Sequence, residues 1–93
     1  MRLRFSTGAR LQILEIHSHI AERSPRAAVA VVERIRAAAE LLQAFPRLGR
    51  EGREPGTREW VVRGLPYIIV YEIDATGDDE LMILAVFHGA RDR

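Results

Sequence analysis

The sequence predicts an α+β fold in the order β-α-α-β-β-β, an antiparallel sheet with a helical hairpin packed on one face. Three observations predict it. Apolar residues recur at helical spacing through most of the first half, from Ala9 to Phe45. From Thr57 to Phe87 the chain changes to short runs of β-branched and aromatic residues, broken by Gly64-Leu65-Pro66 and by the acidic turn Asp74–Glu80. Helices gathered first and strands joined by short links favour an antiparallel meander covered by helices on one side.

Each element has its own signal. Arg2-Leu3-Arg4-Phe5 alternates polar and apolar residues and predicts a short first strand near an edge. Sequence alone does not decide where that strand joins the sheet. Ser6 or Thr7 is placed to cap a helix. From Ala9 to about Glu22, Ala9, Ile13, Ile16 and Ile20 share one arc, extended by Leu14, with Gln12, Glu15, Ser18, His19 and Glu22 opposite. Ser24-Pro25 restarts a helix, with Ser as cap and Pro at the first helical position. This second helix reaches about Phe45 and carries an apolar stripe of Val31, Val32, Ile35, Ala38, Ala39 and Leu42. Pro46 ends it. The short joint between the two predicts an antiparallel hairpin.

Arg47 to Gly56 lacks a hydrophobic period and reads as a loop. Two strands follow within Thr57–Asp74. In the second, Tyr67, Ile69, Tyr71 and Ile73 face one way and Ile68 and Val70 the other, so this strand is expected at the centre, covered on both sides. Leu81–Phe87 is the last strand, and His88–Arg93 a charged tail.

Composition bounds the function. The 93 residues are expected to form a single domain, 1–93, of modest stability. Cysteine is absent, which excludes disulfides and thiolate metal sites. His17, His19 and His88 have no zinc-ligand spacing, so neither metal nor cofactor is expected. The chain contains no apolar run of membrane-spanning length and no apolar signal core, so a cytoplasmic protein that does not engage the membrane is expected. All 14 basic residues are arginine, against 13 acids. Arginine stays charged and grips carboxylates or phosphates bidentately. The codon bias of a GC-rich genome is the plainer explanation.

Three stretches in order, F-P-R-L-G-R at Phe45–Arg50, G-T-R-E-W-V-V-R-G-L-P-Y-I-I-V-Y at Gly56–Tyr71 and V-F-H-G-A-R-D at Val86–Asp92, resemble the RelE/ParE family of small bacterial toxins. With the hairpin, the likeness covers nearly the whole chain. The resemblance implies the toxin of a type II toxin–antitoxin module, carried on plasmids or chromosomes and held in a hetero-oligomer by a cognate antitoxin. It also implies one of two mechanisms. RelE-like members cut messenger RNA on the ribosome. ParE-like members inhibit DNA gyrase by binding.

Metal-free RNA cleavage needs a base, an acid and cations around the phosphorane. Under the endonuclease alternative the catalytic residues are His88, Arg58 and Arg91. An imidazole titrates near neutral pH, and the arginines supply charge. Against cleavage, Ile68-Ile69 stands where many RelE-like nucleases carry an arginine before the V-Y pair, and their lysines are missing. The ParE-like reading is therefore preferred. An inactive toxin-fold interaction module is the third reading.

The plainer readings of the same residues are packing for Trp60, Tyr67 and Tyr71 and a structural role for His88. Arg47, Arg50 and Arg53 alternate with Glu51 and Glu54, a pattern of solvated loops. Continuation through Arg58 and Arg63 leaves an anion- or acid-facing patch open. Leu11 and Val29 lie off the main apolar arcs and are expected to be covered by the antitoxin.

Overall fold

The computed structural model describes residues 1–74 and 79–90. Arg91 and the middle of the acidic turn, 75–78, lie outside them. The elements are β1 (Arg2–Phe5), α1 (Thr7–Ala21), α2 (Pro25–Ala44), β2 (Arg50–Glu51), β3 (Arg58–Val61), β4 (Tyr67–Asp74) and β5 (Glu80–His88). No helix is long and apolar enough to cross a membrane among the described residues.

The strands form one sheet in the order β1-β5-β4-β3-β2. From β2 to β5 every pairing is antiparallel, as the meander requires. β1, whose place was open, lies parallel to β5, Arg2 opposite Glu80 and Phe5 opposite Ile83, so the sheet is mixed. The helical hairpin between β1 and the rest carries the chain across the sheet, the long crossover that a parallel neighbour needs. β2 is a second difference. It falls inside the expected loop because contacts described below pull that segment onto β3.

Both helix starts match their caps. The Ser6 hydroxyl accepts the Ala9 N–H at 3.0 Å, and the Ser24 hydroxyl accepts the Ala27 N–H at 3.1 Å. Ser6 Oγ also donates to the Leu84 carbonyl at 3.0 Å. That carbonyl belongs to a bulge: Val70 pairs with Ala85 but Tyr71 with Ile83, leaving Leu84 as the extra residue. Gln12 Oε1 accepts the nearby Val86 N–H at 2.8 Å. Ser6 and Gln12, at the start of α1, thus supply partners to β5 backbone groups beyond the end of its pairing with β1.

The core lies between the hairpin and one sheet face. Ile35, Ala39 and Leu42 of α2 pack with Tyr67, Ile69, Tyr71, Leu81, Ile83 and Val86. Burying each large aliphatic chain contributes about 1.5–3 kcal/mol before ordering costs. Leu14, expected to extend the α1 arc, is instead 63% exposed. Helix cover falls on the Tyr67, Ile69 and Tyr71 face of β4. On the other face Ile68 is buried at 8% exposure, but Val70 and Phe87 are half-buried. Gly89 crosses over Ile68, its N–H donating to the Pro66 carbonyl at 2.8 Å. Both faces of β4 are shielded, one by helices and the other by its neighbours and this turn.

Candidate functional site

Two clefts lie at opposite ends of β4. The first, about 560 Å³, opens between α1 and the ends of β4 and β5. Its walls include Glu15, His19, Tyr67, Phe87 and His88. The Tyr67 and His88 rings meet edge to face, centroids 5.6 Å apart at 85°. His88 Nδ1 accepts the Ala90 N–H at 3.2 Å.

The sequence placed both Glu15 and His19 on the solvent side. Both line this cleft with His88. Their spacing of four residues put them on one stripe of α1. What the pattern lacked was the rotation of α1 that brings this stripe beside β5. Among the described residues no three His, Asp or Glu side chains gather in a metal-binding arrangement.

The second cleft, about 410 Å³, lies beside the β2–β3 hairpin and is lined by Arg47, Glu51, Glu54 and Arg58 among others. Here the chain is tied tightly. Tyr71 is fully buried, and its hydroxyl donates to the Pro46 carbonyl at 2.6 Å and accepts the Gly49 N–H at 2.9 Å. Burial pushes the phenol above its ordinary pKa, while the Gly49 N–H and the Arg58 charge pull partly back. Arg58 donates to the Gly49 carbonyl at 2.6 Å and, more weakly, to the Arg47 carbonyl at 3.4 Å. A Cβ on Gly49 would lie 2.5 Å from the Tyr71 hydroxyl and 2.9 Å from the Glu59 carbonyl, so the position excludes any side chain.

On the other face Glu59, at 6% exposure, accepts the Arg53 N–H at 3.2 Å and lies 3.7 Å from the Arg50 guanidinium. A buried carboxylate needs such partners. These contacts from both faces hold Arg50–Glu51 against β3 and make β2. The alternation of charges in the loop concealed them.

Of the sequence-predicted residues, Arg58 and His88 stand apart. Arg58 stands opposite Tyr71, whereas His88 stands opposite Tyr67. Four residues along and two strands across put them about 16 Å apart. Arg91 lies outside the described residues. Ile69 is fully buried under the helices, and Ile68 packs opposite Phe87 and Val61.

The profile of the family described as "ParE toxin of type II toxin-antitoxin system, parDE" matches residues 3–93. The "Putative toxin Y4kP" of Sinorhizobium fredii is 39% identical over 87 residues, covering 94% of this chain and 86% of that protein. Among solved structures, the chromosomal ParDE TA system from P. aeruginosa superposes with a TM-score of 0.83 at 23% identity, covering 95% of each chain, a likeness of fold. The toxin–antitoxin complex RelBE2 from Mycobacterium tuberculosis matches with a TM-score of 0.59 at 30% identity, over 94% of this chain and 88% of that one. The two helices on a mixed five-stranded sheet and the match along almost the full sequence establish that this chain belongs to the ParE toxin family of type II toxin–antitoxin systems.

Proposed function

We propose that this toxin acts in the cytoplasm by binding DNA gyrase and inhibiting it, as one domain spanning residues 1–93, and that a cognate antitoxin holds it in a hetero-oligomer until released. One observation carries the preference for binding over cleavage. The Arg58 guanidinium donates to the Gly49 carbonyl, and the strand positions of Arg58 and His88 lie about 16 Å apart, which argues against both serving one phosphate. An apolar pair, Ile68-Ile69, fills the strand between them. Phosphorane stabilisation needs donors aimed at one point, and the Arg58 guanidinium is engaged by loop carbonyls instead.

Support for an antitoxin comes from the hairpin. Leu11 is 55% exposed, Leu14 63% and Val29 51%. These side chains offer an apolar surface along the helices to a helical or extended segment. Both structural matches come from toxin–antitoxin systems.

Purified toxin should inhibit gyrase supercoiling of relaxed plasmid, and added antitoxin should reverse this. Ribosome-bound message should remain intact in a parallel reaction. Site-specific message cleavage with untouched supercoiling would replace this reading by the ribosome-dependent endonuclease, which the meeting of His88, His19 and Glu15 in one cleft favours.

A further inference from the structure

The turn after α2 is held by side chains of β3 and β4 as well as by its own backbone. Pro46 and Gly49 are tied to the Tyr71 hydroxyl, Arg47 and Gly49 to Arg58, and the Leu48 N–H donates to the Phe45 carbonyl at 3.1 Å. What the turn displays is apolar and open. Phe45 is 59% exposed and Leu48 45%. With Met1 and Ile73 they line a shallow groove of about 480 Å³ whose charged wall is Arg47. The Arg47 guanidinium has no carboxylate partner among the described residues.

We infer that this groove, with Phe45 and Leu48 as anchors and Arg47 at its rim, is where the toxin grips its target, and that the target offers there a folded protein surface bearing an apolar side chain beside carboxylates. The inference rests on the binding reading above and assigns the contact residues within it. Exposed aromatic and arginine side chains on a rigid support have the character of interface hot spots, because little freedom is lost on docking. A single cation beside apolar side chains suits a carboxylate-rimmed protein pocket. A polyphosphate backbone asks for several cations together, and Arg47 is the one charged side chain lining this groove among the described residues.

The choice of target over antitoxin follows from shape and place. Val29 and Phe45 lie about 24 Å apart along α2. The hairpin surface at Leu11 and Val29 runs along helices and suits a segment that folds on binding. The clamped groove is preformed and suits a partner that is already folded.

The test compares Phe45→Ser, Arg47→Glu and Arg47→Lys with the natural toxin. All alter exposed side chains, and thermal unfolding should confirm that each protein stays folded. Gyrase supercoiling, antitoxin binding and growth arrest on induction are measured for each. Phe45→Ser and Arg47→Glu should raise the half-inhibitory toxin concentration about tenfold or more and weaken growth arrest. Arg47→Lys should stay within about threefold, and antitoxin affinity should hold within about threefold in all.

Unchanged inhibition in Phe45→Ser and Arg47→Glu would overturn the inference. So would a loss of antitoxin binding with inhibition intact, which would give the groove to the antitoxin. If the natural toxin fails to inhibit gyrase, the gyrase reading falls by itself, and growth arrest decides the groove. Arrest lost in both variants upholds it, and arrest retained overturns it. Duplex DNA or RNA bound by the natural toxin and released by Arg47→Glu would overturn the protein partner in favour of a nucleic acid.

Discussion

Tyr67 and Tyr71 sit on the same face of the same strand, four residues apart, yet do different work. Tyr71 is fully buried, with its hydroxyl between the Pro46 carbonyl and the Gly49 N–H. Tyr67 is nearly as buried, at 6% exposure, but it meets the His88 ring at the wall of an open cleft. One end of β4 is therefore fastened by directional bonds to the backbone of the turn after α2. At the other end Tyr67 has the His88 ring at the cleft wall, and its hydroxyl has no such tie to backbone among the described residues. Polar groups shared along one strand do not make one site. Arginine near the Tyr71 end holds a turn in place, and histidine near the Tyr67 end has no arginine from that turn beside it.

The largest effect should come from Gly49→Ala. Its Cβ meets the Tyr71 hydroxyl and ring and the Glu59 carbonyl, all below ordinary contact distance. The clamp must open or the strand must shift, at about 3 kcal/mol or more. Urea unfolding followed by circular dichroism would measure it, and stability equal to the natural protein would remove the clamp from the comparison.

Tyr71→Phe should come next, at about 2 kcal/mol, because the ring stays while the Gly49 N–H and Pro46 carbonyl lose their partner. This variant also has a pH signature. Burial raises the folded-state pKa of Tyr71 above its unfolded value near 10. The contribution of the protonated phenol is fully present below about pH 10 and is lost as pH rises through the folded value. The stability gap between natural protein and Tyr71→Phe should therefore narrow in alkaline unfolding experiments. A gap that widens would place the charged form, not the neutral one, in the fold.

The contrast between the two ends also explains what could be read in advance. Caps at Ser6 and Ser24, the hairpin and the strand runs at Tyr67–Asp74 and Leu81–Phe87 are written in local patterns, and the structure agrees with them. Parallel pairing of β1 with β5 joins residues nearly eighty positions apart, and periodicity carries no such information. Arg58 illustrates the limit at the site. Its type and place in the G-T-R-E-W stretch suggested a charge for phosphate, but its donors face the carbonyls of Arg47 and Gly49. Those bonds depend on where the loop returns over β3. Conversely, Glu15 and His19 join His88 through the docking of α1, which their solvent-side assignment did not anticipate.

The smallest structural effect should come from His88→Ala, and it separates the two mechanisms most cleanly. The ring contact with Tyr67 contributes about 1 kcal/mol, and the Ala90 N–H that His88 accepts is exposed, so water can replace the imidazole. The protein should fold, bind antitoxin and lose at most about 1 kcal/mol. Under the binding reading, growth arrest and supercoiling inhibition should persist, because the groove at Phe45 and Arg47 lies toward the other end of β4. Under the endonuclease reading the same substitution removes the imidazole that cleavage requires, and arrest should disappear from a folded, antitoxin-competent protein. Persistence of arrest would leave the His88 cleft with a packing role. Its loss would move the functional centre from the clamped end of the strand to the open one.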